Sequence, residues 1–368
     1  MMTNLKVGVV MKHKTSENNT SFWLRYIPAA AICFVFAFLL ICSPDTAKNG
    51  IADGIDLCLK ILIPSLFPFL FLSSFTVSSQ LHLNIGRLLR KPVRFLFRQP
   101  ESAASIIIMS MIGGLPVGAK MTALVYSKNQ LTQSQAQRLM LYCVNSGPAF
   151  VISAVGGSML GSYKAGVIIY VSLCTASLIV GILTRFLPDS DSQPTLCAQM
   201  PEAPPKLFVA LTQAAESSST AMMSICVWVM LFSCAIALFE ANIKSEGALI
   251  ISASVLEITK ACRLCAGKLS IPLIAGIIGW AGISAHCQIL SSCIKAHIKI
   301  SVFMCSRVIN GALAALICDR LLTLFPIETA AMMTPSGITA SPFRVSLPIS
   351  IGLMMMCAAL LINQPQTN

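Results

Sequence analysis

Two short stretches combine the residue types that can hold an anion inside an apolar protein. They are "GGLPVGAK", Gly113–Lys120, and "NSGPAF", Asn145–Phe150. In each, a glycine or a capping residue (Asn145 or Ser146) can end one helix. A proline, Pro116 or Pro148, can then occupy the first turn of the next, where its missing N–H costs nothing. A helix starting there presents unpaired N–H groups and the positive end of its dipole, which together bind carboxylates and phosphates. Lys120 falls about one turn into the new helix and adds a full positive charge.

Further ionisable residues stand in apolar surroundings: Glu257, Lys260, His286 and Arg307. Each is costly in hydrocarbon unless paired or solvated. Glu257 and Lys260 are spaced to neutralise one another on one helix face; alternatively, Glu257 carries a proton or pairs with Lys120. His286 reads as a hydrogen-bonded packing residue, Arg307 as a snorkelling or carboxylate-paired cation, and Trp228 and Trp280 as interface anchors or packing residues. Catalytic signatures are absent: the chain has no GxSxG, HExxH or GxxxxGK[ST], and Ser284 lies too near His286 on one segment to form a nucleophile–base pair. Cys262 and Cys265 have CxxC spacing without a second pair, whereas structural zinc takes four ligands. The reading is therefore of no enzyme, no cofactor and no metal.

The elements that must position these residues are membrane helices. Of 368 residues, 55% are hydrophobic and 11% charged, with mean hydropathy +0.78. A soluble domain carries about 25% charged residues. Apolar runs recur at Ile27–Cys42, Ile61–Val77, Gly166–Leu183, Ala221–Phe239, Leu269–Ala285, Ile300–Cys318 and Val345–Asn363, several close to the ~20 residues that cross a bilayer. The expected fold is all-α and polytopic, with broken or re-entrant helices. The fifteen cysteines lie mostly inside apolar runs and read as small buried hydrophobes. The first run follows a basic head and lacks a clean cleavage site, so it is expected to be a retained span.

The formal charge of +12 reports topology rather than nucleic acid. Its densest cluster, Arg87, Arg90, Lys91, Arg94 and Arg98, is predicted to be cytoplasmic and to rest on anionic lipid as an interfacial helix. The amino-terminal tail, residues 1–26, is placed on the same side. A loop carrying Asp45, Asp53 and Asp56 is expected on the other side, after the first helix at 27–42. The polar stretch 188–205 reads as a linker between two comparable sets of membrane segments, 50–187 and 206–320. A transmembrane segment and tail, 321–368, would follow. Each set is interrupted: "IPSLFPF", "GGLPVGAK" and "NSGPAFVISAVGG" in the first, "LEITKAC" and "GWAGISAHCQ" in the second. Non-helical backbone at membrane depth must be buried in protein or line a polar cavity. Interrupted segments in both halves point to a central transporter site, with the halves as inverted repeats.

In order, "ILIPSLFPFLFLSS", "GGLPVGAK", "NSGPAFVISAVG", "VLEIT" and "GWAGISAHCQILSS" resemble the YlbJ-type sporulation integral membrane proteins, within the wider group carrying a nucleoside-recognition or Gate domain. The resemblance covers roughly residues 50 to 320. It implies a multi-pass protein of the mother-cell membrane around the forespore, implicated in moving dipicolinic acid. A transporter of nucleosides or other small solutes and a non-transporting scaffold are the alternatives. The partners expected are a small-molecule anion and the lipid bilayer. The residues expected at the substrate are Gly114, Pro116, Gly118, Lys120, Asn145, Ser146, Gly147, Glu257, Ser284 and Gln288.

Overall fold

A computed structural model describes residues 19–187, 205–241, 245–293 and 300–327. The linker 188–205 lies almost wholly outside the described residues, as do residues 1–18 of the tail and the segment beyond 327. The protein is an all-α polytopic membrane protein: every regular element among the described residues is helical. In lipid a backbone must satisfy its own polar groups, which the helix does within one segment. Tyr163–Thr184, Leu207–Glu240, Ile271–Leu290 and Ile300–Leu324 are long and apolar enough to cross a membrane. A further pair, Pro44–Leu62 with Leu66–Ser78, bends by 60° at its break.

Helix α1 (Asn19–Cys42) begins upstream of the expected span. The acidic stretch Asp45–Asp56 is not the loop expected from its charges. It forms helix α2 (Pro44–Leu57), which continues through a π-helical turn, π1 (Cys58–Leu62), into α3 (Ile63–Ser78). The physical reason is packing. Gly50 and Gly54 stand one turn apart and leave a shallow groove for the later helix α9 (Leu207–Glu240). A Cβ at Gly50 would lie 2.7 Å from the Ala237 Cβ, and one at Gly54 2.8 Å from the Met230 Cα. Farther along, the Cys58 thiol reaches the Cys226 carbonyl and the Ser218 hydroxyl donates to Ser74 Oγ. Thus α2–π1–α3 runs antiparallel along α9. The carboxylates of Asp45 and Asp53 ride the side away from it.

After α3 comes α4 (Leu81–Phe97), a surface helix, and then α5 (Ala103–Gly113) and α6 (Leu115–Ser127), which form a hairpin. The Ser102 hydroxyl donates to the Gln130 carbonyl at 3.2 Å and closes the hairpin's base. Helix α7 (Gln133–Tyr142) unwinds over 143–148 and resumes as a π-helical segment, π2 (Ala149–Met159), before α8 (Tyr163–Thr184).

The second half repeats this order. After α9, α10 (Glu246–Leu256) and α11 (Ile258–Cys265) make a hairpin whose base is closed by Lys268 and Glu246. Helices α12 (Ile271–Trp280) and α13 (Gly282–Cys293) form a span broken at Ala281, and α14 (Ile300–Leu324) runs past residue 320. Helices α8 and α14 pack on each other and on α12, and α8 also packs on π2. The exchange is crosswise: α6 of the first hairpin packs on α13, and α11 of the second on π2. Helix α9, antiparallel to α2–π1–α3, has its first half beside the end of α3.

Candidate functional site

The two hairpin tips and the two unwound spans meet. Gly114 forms the first tip with φ +90°, which a side chain would strain. Its backbone abuts Gly147, where an added Cβ would approach the Gly114 Cα to 3.2 Å. Glu257 forms the second tip and abuts Gly282 in the same manner. Ala281, beside it, holds a left-handed φ of 76°, a conformation that costs a non-glycine residue about 1–2 kcal/mol.

Between these contacts lies a cavity of about 50 Å³. Pro116, Ser146, Gly147, Glu257, Ser284 and Gln288 line it, with Leu62, Leu66, Leu115, Phe150, Ile258 and Thr259 among the other walls. It has room for a few waters. Four helices begin at it: α6, π2, α11 and α13. The first-turn N–H groups of a helix have no carbonyl one turn earlier to bond to. At α11 they are taken by Glu257, whose Oε1 accepts from the Thr259 N–H at 3.0 Å and whose Oε2 accepts from the Lys260 N–H at 2.7 Å. Ser146 is 3% exposed, lines the cavity, and its hydroxyl has no hydrogen-bond partner among the described residues. Gln288 donates to Ser284 Oγ at 3.4 Å.

The remaining expected residues sit around the cavity rather than on it. Gly118 packs against the unwound 143–148 backbone, where a Cβ would stand 1.7 Å from the Cys143 carbonyl oxygen. Asn145 donates to the Tyr142 carbonyl and accepts from Ser177, which in turn accepts from Asn310. Lys120 is turned away from the cavity. Its ammonium donates to Ser74 Oγ at 2.9 Å and to the Ser217 carbonyl, tying α6 to α3 and α9. The Glu257 oxygens are engaged by α11, so Lys120 does not pair with them. Lys260 directs its ammonium to Glu240 at 2.9 Å, so the expected Glu257–Lys260 neutralisation is a backbone contact instead.

Arg307 does not snorkel, and it meets no carboxylate among the described residues. It is 1% exposed and donates to the Leu141 and Val144 carbonyls, which the end of α7 leaves unpaired. Its guanidinium also lies over the Phe303 ring, 5.7 Å from the centroid. His286 donates from Nδ1 to the Gly282 carbonyl and stacks between Trp280 and Phe303. Sequence reasoning missed Ser177 and Asn310, which fix Asn145, and Ser74 and Ser217, which hold Lys120. No local pattern marks them, because each is defined by a partner far away in the chain. No group of three His, Cys, Asp or Glu side chains is placed to hold a metal ion among the described residues.

The chain is similar to the sporulation integral membrane protein YlbJ of Bacillus subtilis (strain 168). The two are 24% identical over 337 residues, covering 79% of this chain and 82% of that protein. No family model matches the chain, and no solved structure does. The similarity along most of both lengths supports a YlbJ-type assignment.

Proposed function

We propose that this YlbJ-type chain is a sporulation membrane protein that carries a small anion across the bilayer through the central cavity. Dipicolinate, a flat pyridine with two carboxylates, is the substrate we assign, and the outer forespore membrane is the location. The meeting of the starts of α6 and π2, neither with a side-chain cap, around the unpartnered Ser146 hydroxyl carries this reading. Carboxylate oxygens accept hydrogen bonds from such groups, and the helix dipoles favour negative charge. Glu257 does not cancel the seat, because its own charge is spent on the α11 terminus.

At about 50 Å³ the cavity is too small for a pyridine dicarboxylate. Sites for molecules of drug size run ~300–1,000 Å³. The structure is therefore read as a closed form, and loading requires a hairpin tip to withdraw from its unwound span. Each half supplies one such tip, and alternating access would withdraw them in turn.

One observation favours a second reading. The cavity lining includes a carboxylate and neither a lysine nor an arginine, which suits a neutral hydrogen-bonding solute such as a nucleoside. Reconstituted protein decides between them. Saturable uptake of labelled dipicolinate into proteoliposomes, reduced in Ser146→Ala, is the expected result. Uptake of uridine without dipicolinate moves the function to the second reading, and uptake of neither removes transport.

A further inference from the structure

We propose that the outward face of α4 is a binding site for the phosphate headgroup of an anionic lipid. The helix has three strips when its residues are laid out at ~100° intervals. His82, Gly86, Val93 and Phe97 form the buried one, packed on the first hairpin and α8. Leu81, Leu88 and Phe95 form a second apolar strip on the free side, with Leu88 82% and Phe95 72% exposed. Arg87, Arg90, Lys91 and Arg94 occupy the arc between them. A helix facing water has no use for exposed leucine and phenylalanine at heptad spacing. A helix within hydrocarbon cannot carry a row of cations. Both features fit a helix lying in the headgroup layer, with its apolar strip dipping into the acyl chains.

The site itself is a groove. Arg90, Lys91, Arg94 and Phe95 line an open space of about 450 Å³ on the outer surface of α4. Arg90 has an acidic neighbour, Glu101, with 3.7 Å between Nε and Oε2 and both side chains largely in the open, so the pair is weak. Lys91 and Arg94 have no ion-pair partner among the described residues. The Arg185 guanidinium, 5.8 Å from the centre of the Phe95 ring, adds positive charge at the groove's edge. Arginine forks and a lysine converging on one opening suit a phosphate, whose oxygens accept several charge-assisted bonds at once. The complement is an anionic phospholipid of the leaflet on which α4 rests. The inference does not depend on the transport reading.

The test uses the whole protein purified in a neutral detergent, with phosphatidylglycerol, phosphatidylcholine or inorganic phosphate added. Lipid retention is read by native mass spectrometry and stability by the thermal unfolding midpoint. Phosphatidylglycerol should be retained and raise the midpoint, and phosphatidylcholine should do neither. Arg90→Gln, Lys91→Gln and Arg94→Gln combined should weaken phosphatidylglycerol roughly 100-fold, at about fivefold per charge removed. A charge-matched control, Lys48→Gln with Lys164→Gln and Arg263→Gln, should keep the response. Undiminished binding by the first triple variant, an equal effect of phosphatidylcholine, or the full effect from inorganic phosphate alone would each overturn the proposal.

Discussion

Removing the Glu257 side chain should destabilise the protein and leave a readable trace in its function. The carboxylate is 2% exposed and accepts two backbone N–H bonds, at 3.0 Å from Thr259 and 2.7 Å from Lys260. Hydrogen bonds to a charged group contribute ~1.5–3 kcal/mol each. Two would give about 3–6 kcal/mol for Glu257→Ala, were the orphaned N–H groups left dry. The neighbouring cavity has room for water, and hydration of the freed N–H groups offsets part of that loss, so about 3 kcal/mol is expected. Glu257→Gln keeps one acceptor oxygen but turns an NH₂ toward the second donor, and should cost about half as much. Thermal unfolding in detergent, followed by size-exclusion recovery, measures both variants. The glutamine variant then serves for transport, because it keeps the shape of the tip while removing its charge. If the alanine variant unfolds within ~0.5 kcal/mol of the native protein, a difference typical of inert surface changes, the tip is not anchored as described.

Gly118→Ala should prevent recovery of folded protein, because its Cβ would stand 1.7 Å from a backbone oxygen that cannot rotate away; overpacking costs ~1–3 kcal/mol even where side chains can yield. A folded, native-like Gly118→Ala protein in size-exclusion chromatography would contradict the packing of α6 on the unwound span. Lys120→Met removes the bonds to Ser74 and the Ser217 carbonyl and should lower stability by about 2 kcal/mol, while dipicolinate uptake per folded protein stays within severalfold of native. A stable Lys120→Met protein with no uptake would return Lys120 to the substrate path.

What was legible in the chain follows from how local each feature is. A helix start is written in a few residues, and "GGLPVGAK" does begin a helix with Pro116 in its first turn. The unwinding at "NSGP" and the break at "GWAG" follow the same logic. The second tip was visible as an acid in apolar sequence, although its role as the cap of α11 was not. Helix α2 was misread because acidic residues resemble a loop, yet the spacing of Gly50 and Gly54 already carried the signal for close helix packing. Long side chains were not legible. The Lys120 ammonium and the Arg307 guanidinium reach partners supplied by distant segments, and no neighbour in sequence indicates which.

The two tips also differ in a way that bears on charge. Gly114 and Glu257 occupy corresponding positions, each at the turn of a hairpin and each against a glycine of the following span. At Gly114 the terminus of α6 has no side-chain cap, whereas α11 is capped by its own carboxylate. An arriving carboxylate therefore meets donors on the first hairpin and an occupied terminus on the second. If dipicolinate is the substrate, its first contact belongs to the half that carries Gly114, Ser146 and Gly147, and the Glu257 carboxylate, spent on the α11 terminus, anchors the second tip. Glu257→Gln should then leave the dipicolinate affinity of the folded protein within severalfold of native, as read from uptake into proteoliposomes. A dipicolinate affinity raised tenfold or more in that variant would instead mean that the Glu257 charge reaches the cavity and opposes the dianion.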